Sequence, residues 1–335
     1  MNVAVFSTRE YDRRFLIEAN QERLNLTFFE IRLELESCSL AEGYPAVCVF
    51  VNDQLNADVL HRLYEGGTRM IALRCTGFNN LDFYAIQTLG FTVARVPVYS
   101  PSSISEYTIG LILALARKIC KAYLKTREGN FSLSGLLGYN IRHKTAGIIG
   151  TGRIGAQTAL GFAGLGCRVL VQDVQENSRL VAAGIPYVSR ETLFQESDII
   201  SLHCPLLPET FHLINHETIQ VMKDGVMIVN TSRGGLVDTG AVIDGLKSGK
   251  IGSLALDVYE EEDEFFFEDF SDRVILDDQL ARILNFPNVI VTGHQAFFTT
   301  EAMRAIARQT IENLLDFENG TVPAGILTRE MIVAP

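Results

Sequence analysis

Several groups capable of chemistry follow strand-like segments in the second half of the chain. They are the glycine cluster Gly150-Thr151-Gly152-Arg153-Ile154-Gly155, Asp173, Arg233, Asp257 and His294, which come at or just after the ends of segments 145–149, 168–172, 226–230, 253–256 and 289–292. In an open parallel sheet, ligands bind beyond the carboxyl ends of the strands. The sequence therefore predicts one site that combines a glycine loop, carboxylates, a guanidinium and an imidazole.

The glycine cluster has G-x-G-x-x-G spacing between a predicted strand and a predicted helix at 156–163. Gly150 allows a tight turn, Gly152 lets the backbone approach a pyrophosphate, and Gly155 allows close packing of helix and strand. Asp173, 18 residues beyond Gly155, can accept hydrogen bonds from ribose hydroxyls and would repel a 2′-phosphate. The pattern favours NAD over NADP; the alternative is a structural turn followed by a solvated Asp.

Reduction of a 2-keto acid needs a hydride, a proton donor and a cation for the carboxylate. His294 suits proton transfer because imidazole titrates near neutrality, although a loop histidine is often only solvated. Arg233 can form paired hydrogen bonds with a carboxylate, or it can simply belong to a polar turn. An acidic neighbour would stabilise protonated His294. The residue pattern does not choose among the candidates Glu260, Glu261, Glu262, Asp263 and Glu264.

The bulk properties restrict the class of protein. The chain has 335 residues, enough for two domains, and it is 47% hydrophobic and 21% charged. Its net charge of −11 disfavours binding to nucleic acid or to an anionic membrane surface. Six scattered cysteines without a C-x-x-C pair, and an N-terminus without signal-peptide features, predict a reduced cytoplasmic protein. No metal site is predicted.

Apolar runs alternate with amphipathic stretches, which predicts parallel α/β sheets. The strand candidates in the first hundred residues are 3–6, 26–31, 46–51, 70–74 and 92–96. A capping box at Ser103-Ile104-Ser105-Glu106 predicts the start of a helix, and we place a domain boundary near residue 100. The apolar face of the last helix, from Met303 to Leu315, does not tell which domain it joins.

These features resemble the D-isomer-specific 2-hydroxyacid dehydrogenases, especially the fermentative D-lactate dehydrogenases, over essentially the whole chain. The motifs that carry the resemblance are the segments 71–80, 95–101, 230–235, 257–262 and 293–297. The resemblance implies two doubly wound parallel-sheet domains. A Rossmann NAD-binding domain at 101–298 would be inserted into a flavodoxin-like substrate domain formed by 1–100 and 299–335. It also implies homo-oligomers, with the helix near Ser103 and the segment 131–139 as interface candidates.

The resemblance further implies the roles of individual residues. Arg233, Glu262 and His294 match the catalytic set. Thr76 and Gly77 would bind the substrate carboxylate through backbone groups, Tyr99 would contribute its hydroxyl, and Phe50 and Phe297 would enclose the substrate methyl. The cofactor positions are Gly150, Gly152, Arg153, Ile154, Gly155, Asp173, Cys204, Pro205, Thr210, Thr231 and Asp257. Thr210 replaces an Asn common in the family.

The predicted reaction is NADH-dependent reduction of pyruvate to D-lactate, with His294 donating the proton and Glu262 supporting it. One alternative substrate class is the bulkier 2-keto acids, such as phenylpyruvate and 2-ketoisocaproate. A second alternative is a non-catalytic protein that senses NAD, since corepressors related to the family share this architecture.

Overall fold

The structure, a computed structural model, describes residues 1–78, 80–262 and 265–328. The chain divides into two compact units: unit 1 comprises Met1–Ser100 and Phe298–Pro335, and unit 2 comprises Pro101–Phe297. Asn79 of the motif 71–80, Asp263 and Glu264 of the acidic run, and 329–335 of the predicted range 299–335 lie outside the described residues.

Strands and helices alternate along the chain, as expected for α/β folds. The strands are β1 (Asn2–Val5), β2 (Asn25–Phe28), β3 (Ala46–Val49), β4 (Met70–Leu73), β5 (Thr92–Ala94), β6 (Thr145–Ile149), β7 (Arg168–Gln172), β8 (Ile199–Leu202), β9 (Val226–Asn230), β10 (Ile251–Leu256) and β11 (Val289–Val291). The α-helices are α1 (Glu10–Asn20), α2 (Ala57–Glu65), α3 (Phe83–Leu89), α4 (Pro101–Ala116), α5 (Ile119–Arg127), α6 (Arg153–Gly164), α7 (Ser178–Ala182), α8 (Arg190–Glu196), α9 (His216–Val221), α10 (Thr239–Ser248), α11 (Asp278–Leu284) and α12 (Thr300–Glu318).

Unit 1 contains a parallel sheet in the order β2-β1-β3-β4-β5. This is the order of a flavodoxin-like doubly wound sheet. The strands β3 and β4 are buried on both faces and consist of apolar residues throughout, as expected where helices cover both sides. Helix α12 packs against α1 and β4, so the last helix belongs to this unit.

Unit 2 contains a parallel sheet in the order β11-β10-β9-β8-β6-β7. Successive residues face opposite sides, so Ile148 and Val229 enter one apolar cluster while Ile149 and Ile228 enter the other. The direction of winding reverses at β6, which has β7 on one side and β8 on the other. A ligand site is expected at this reversal, directly beyond Ile149. The prediction of two doubly wound parallel sheets is confirmed.

Two details of the sequence-based prediction are wrong. The central strand β8 is absent from the predicted strands, because its four residues, interrupted by Ser201, give only a weak signal for either a strand or a helix. The helix predicted to begin at the Ser103 capping box begins instead at Pro101. Proline suits the first helical position because its φ is already helical and its missing N–H would have no helical partner. Ser103 and Ser105 therefore lie within α4, and both residues are buried.

A buried charged cluster lies at the carboxyl end of the unit 1 sheet. The Arg74 side chain is 2% exposed; its Nη2 donates to the Ser7 carbonyl at 2.6 Å, and its Nε lies 3.5 Å from Asp12 Oδ1. Its guanidinium lies 5.0 Å from the centre of the Phe50 ring. Burial raises the pKa of Asp53, and the Arg74 charge opposes that rise. The arginine therefore compensates the charge of carboxylates that would otherwise be desolvated without a nearby cation.

We expect Arg74→Ala to lower the free energy of unfolding by about 3–5 kcal/mol, because it leaves buried carboxylates without a cation. Arg62→Ala is the matched control, since the exposed Arg62–Glu65 pair is separated by 3.7 Å and should contribute less than about 1 kcal/mol. Urea denaturation of the two variants measures the difference. Equal, small losses would show that Arg74 does not stabilise this end of the sheet.

Candidate active site

The glycine loop follows β6 at the reversal point of the unit 2 sheet. Gly150 has φ +91°, a left-handed conformation that favours glycine. A Cβ on Gly155 would lie 1.9 Å from the Gly150 carbonyl oxygen, whereas a Cβ on Gly152 would meet no protein atom within 4 Å. Arg153 and Ile154 form the first turn of α6, whose N-terminal amides favour an anion. The loop thus fits a pyrophosphate: the backbone is close-packed on the protein side and open at Gly152.

Asp173 follows β7 and is joined to the glycine loop. Its Oδ2 accepts hydrogen bonds from the Thr151 backbone N–H and from the Thr151 hydroxyl, the latter at 3.1 Å. Its Oδ1 accepts from Val174 N–H at 2.7 Å. The predicted pyrophosphate loop and the predicted ribose acid are therefore neighbours.

The glycines of this loop allow a prediction that separates folding from cofactor binding. We expect Gly155→Ala to lower both the thermal midpoint and NADH affinity, because the new Cβ overlaps backbone. Gly152→Ala should change the unfolding free energy by less than about 1 kcal/mol while weakening NADH binding by roughly tenfold or more. Thermal denaturation and NADH fluorescence titration test both variants. Unchanged NADH affinity in Gly152→Ala would contradict the assignment of this loop to pyrophosphate.

The loop after β8 contains Cys204, Pro205 and Thr210. Cys204 is buried, and burial raises the pKa of its thiol to about 11, so the group is neutral near pH 7. The Thr210 hydroxyl donates to the Pro205 carbonyl at 2.7 Å and accepts from Leu207 N–H at 2.8 Å. Thr210 therefore closes this turn, and its predicted contact with the cofactor stays a prediction.

The turn after β9 carries Thr231 and Arg233. The Thr231 hydroxyl lies 2.8 Å from that of Thr108 in α4. The Asn230 side chain donates to the Arg233 carbonyl at 2.7 Å, which fixes the backbone of the turn. The Arg233 guanidinium donates to the Ser232 carbonyl at 2.7 Å, and it forms no ion pair with any acidic residue that the structure describes. It remains available to an external carboxylate.

Asp257 holds the loop that bears His294. Its carboxylate accepts from the Thr292 hydroxyl at 2.6 Å, from Gln295 N–H at 2.9 Å and from Ala296 N–H at 2.8 Å. The side chain is buried, which raises its pKa. His294 has φ +51°, a conformation that costs free energy for a residue other than glycine. The observed role of Asp257 is to stabilise this strained loop, and its predicted contact with the nicotinamide stays a prediction.

The structure distinguishes among Glu260, Glu261 and Glu262, the described acidic candidates for a partner of His294. Glu262 Oε1 lies 2.8 Å from His294 Nδ1, and Glu262 Oε2 accepts from Tyr259 N–H at 2.9 Å. Glu260 instead pairs with His212 at 2.6 Å and accepts from Thr239 N–H. Glu261 is exposed. Because Nδ1 of His294 is bonded to Glu262, Nε2 is the nitrogen left for a substrate.

The predicted substrate residues of unit 1 lie at the carboxyl ends of its strands. Phe50 directly follows β3, and Tyr99 follows β5. The Thr76 carbonyl accepts from Arg95 at 2.6 Å, and the Thr76 hydroxyl donates to the Val96 carbonyl at 2.8 Å. Within the described residues, no acceptor is recorded for the N–H groups of Thr76 and Gly77. Phe297 is half-buried at the end of unit 2.

Three polar residues in or next to the nucleotide loop have no role in the sequence-based prediction: Thr151, Asn177 and Tyr187. The position of Thr151 inside the fingerprint offered a signal, because its side chain must lie near the second strand. Asn177 and Tyr187 gave none, because only folding brings them to the loop.

Residues 1–78, 80–262 and 265–328 contain no group of three or more His, Cys, Asp or Glu side chains able to hold a metal ion. Over the same ranges, no helix combines the length and the hydropathy needed to span a membrane.

The chain is similar to known proteins over nearly its full length. Residues 109–296 match the family described as D-isomer specific 2-hydroxyacid dehydrogenase, NAD binding domain. The chain is 48% identical to D-lactate dehydrogenase of Escherichia coli (strain K12) over 321 residues, which is 96% of this chain and 98% of the relative. A solved pyruvate reductase of Chlamydomonas reinhardtii has a TM-score of 0.93 at 44% identity, with 97% of this chain and 98% of that one covered. Apo D-lactate dehydrogenase from Escherichia coli gives 0.91 at 45% identity, with coverages of 98% and 100%.

Proposed function

Since the chain belongs to the D-isomer-specific 2-hydroxyacid dehydrogenase family, whose cofactor is NAD, we propose that it interconverts pyruvate and D-lactate. The observation that carries this proposal is the hydrogen bond between His294 and Glu262 on the sheet edge that also bears Arg233 and the nucleotide loop. When bound, NADH supplies the hydride for C2 of the keto acid. The remaining tasks, which are binding, orientation and proton transfer, belong to residues of the chain.

In this proposal Arg233 binds the substrate carboxylate or polarises its keto oxygen. The N–H groups of Thr76 and Gly77 also bind the carboxylate, and Tyr99 adds its hydroxyl. Nε2 of protonated His294 donates a proton to the keto oxygen as hydride arrives, and in lactate oxidation the neutral ring accepts it. Orienting both reactants accounts for much of the expected rate enhancement.

The role of Glu262 gives a prediction about pH. We expect Glu262→Gln to shift the alkaline limb of the rate profile for pyruvate reduction toward lower pH, because the carboxylate that stabilises imidazolium is lost. Glu261→Gln, at an exposed neighbour, is the control and should leave the limb in place. The profile of kcat/KM against pH measures both. An unmoved limb in Glu262→Gln would argue against a functional pair.

The substrate proposal is tested by comparing kcat/KM for pyruvate, 2-ketoisocaproate and phenylpyruvate with NADH. We expect pyruvate to be preferred by at least about tenfold, since a pocket shaped for a methyl group rejects larger side chains. Phe50 and Phe297 support this choice. A preference for phenylpyruvate or 2-ketoisocaproate would replace pyruvate with the bulkier class.

If NADH binds but turnover is negligible with all three acids, the chain would be a non-catalytic NAD-sensing protein. Arg233, which forms no ion pair within residues 1–78, 80–262 and 265–328, and the His294–Glu262 pair support catalysis instead. Titration of NADH fluorescence beside the turnover assay separates an inactive binder from a protein that has failed to fold.

We further propose that the protein is a cytoplasmic homo-oligomer, a dimer or a tetramer, without nucleic-acid or membrane partners. All six cysteines are free thiols, in keeping with a reducing compartment. Helix α5 and the segment 131–139 expose large apolar side chains, among them Tyr123, Leu124, Phe131, Leu133 and Leu137. Large exposed apolar side chains in one region of the chain favour association with a second copy. Light scattering should give the mass of two or four chains, and a monomer would contradict the proposal.

A further inference from the structure

The chain contains a row of hydrogen bonds that ends on Asp173. Asn177 N–H lies 2.7 Å from the Tyr187 hydroxyl oxygen, which lies 2.9 Å from Thr151 Oγ1. Thr151 Oγ1 lies 3.1 Å from Asp173 Oδ2. The Asn177 side chain also donates to the Thr151 carbonyl at 2.9 Å. Asn177 and Asp173, the two ends of the row, are therefore both hydrogen-bonded to the backbone of the glycine loop.

Within this row the chemistry of the groups sets the direction of each hydrogen bond. The Thr151 hydroxyl also lies 3.5 Å from the Gln175 carbonyl, a longer contact than the one to Asp173. An ionised carboxylate can only accept, so the Thr151 hydroxyl donates to Asp173. A backbone N–H can only donate, so Tyr187 accepts from Asn177 and gives its own proton to Thr151. All three bonds therefore point toward Asp173, and hydrogen bonds in such a row strengthen one another.

The consequence is that the carboxylate is held in one orientation. Thr151 fixes Oδ2 through two donors, and Val174 N–H fixes Oδ1. Thr151 is itself 2% exposed, so its side chain has little freedom to turn away. A free Asp could rotate away from a 2′-phosphate and relieve the repulsion, whereas a fixed Asp cannot. Discrimination against NADP then depends on the residues that hold Asp173 as well as on its charge.

We propose that Tyr187 and Thr151 are positioning residues that set the preference for NADH over NADPH by locking Asp173. This inference rests on the proposed role of Asp173 as the ribose-binding acid. Tyr187 lies 14 positions beyond Asp173 in the sequence. Its hydroxyl is linked to the Asp173 carboxylate through the Thr151 hydroxyl.

The test is the ratio of dissociation constants for NADPH and NADH, measured by fluorescence titration without any keto acid. We expect Tyr187→Phe and Thr151→Val each to lower this ratio by roughly 3- to 10-fold, the usual effect of losing one hydrogen bond. Thr151→Ser keeps the hydroxyl and should retain the wild-type ratio. Tyr44→Phe is the matched control, because it removes a tyrosine–threonine hydrogen bond of 3.0 Å to Thr27 in unit 1.

The outcomes separate the inference from the proposal beneath it. If Tyr187→Phe weakens the binding of NADH and NADPH equally, or lowers only the thermal midpoint, Tyr187 has only a structural role and the inference is overturned. If wild-type protein shows no preference for NADH, or Asp173→Ala leaves the ratio unchanged, the assignment of Asp173 itself fails. A lowered ratio in Tyr187→Phe with an unchanged ratio in Thr151→Ser supports the proposal that Tyr187 and Thr151 position Asp173.

Discussion

Replacing His294 with alanine should reduce kcat for pyruvate reduction by at least roughly two to four orders of magnitude, the scale of acid–base catalysis. The reason is chemical: the keto oxygen gains negative charge as hydride arrives, and His294 Nε2 is the proposed source of its proton. The Glu262 carboxylate at 2.8 Å from Nδ1 fixes the ring so that Nε2 is the nitrogen presented to the substrate.

The measurement is steady-state and single-turnover reduction of pyruvate, together with NADH titration. We expect nearly unchanged NADH affinity in the variant and a flattened dependence of rate on pH. In the wild type, reduction should fall and lactate oxidation should rise as pH increases, since the two directions need opposite protonation states of the ring. His216→Ala, at an exposed position of α9, is the control. Near-normal reduction of pyruvate by His294→Ala would show that His294 is not the proton donor.

The second large effect concerns Arg233. We expect Arg233→Ala to lower kcat/KM for pyruvate by roughly 30- to 5,000-fold, corresponding to the 2–5 kcal/mol lost when one partner of a buried charge pair is truncated, and Arg233→Lys to lower it as well. Lysine keeps the charge but not the planar fork that binds a carboxylate through two hydrogen bonds. The loss should include a higher KM for pyruvate, with little change in the affinity for NADH.

A rescue experiment makes this prediction specific. Adding guanidinium to Arg233→Ala should recover part of the lost activity, whereas ammonium should recover less, because only the planar cation reproduces the paired hydrogen bonds. Arg282→Lys in α11 is exposed and provides the control. If Arg233→Lys retained the wild-type KM for pyruvate, the carboxylate would have to bind elsewhere.

Local patterns in the sequence predicted the parts of the site that follow strands. The strands β6, β7 and β9 have the predicted bounds, because each is an apolar run ended by polar or glycine residues. The positions of Gly150, Asp173, Arg233 and His294 relative to the sheet followed from that reading. The family fold also required knowledge beyond periodicity, since the apolar face of α12 fits a packing partner in either unit.

Contacts that depend on folding could not be predicted in the same way. Glu260 and Glu262 differ by two positions in an acidic run, yet one binds His212 and the other His294. Nothing in the spacing distinguishes them, and only the resemblance selected Glu262. The resemblance implies a cofactor contact for Asp257, and that contact stays a prediction. No sequence pattern predicted the hydrogen bonds of Asp257 to Gln295 and Ala296 N–H, which stabilise the left-handed backbone at His294. The link from Tyr187 to Asp173 through Thr151 likewise has no sequence signature.

The central claim is that this chain transfers hydride from NADH to pyruvate and yields one enantiomer. The most direct measurement is to incubate the purified protein with NADH and pyruvate, follow the loss of NADH, and determine the configuration of the product on a chiral column. We expect D-lactate in an amount equal to the NADH consumed. Formation of L-lactate, or no consumption of NADH by a protein that binds it, would rule out the proposed reaction.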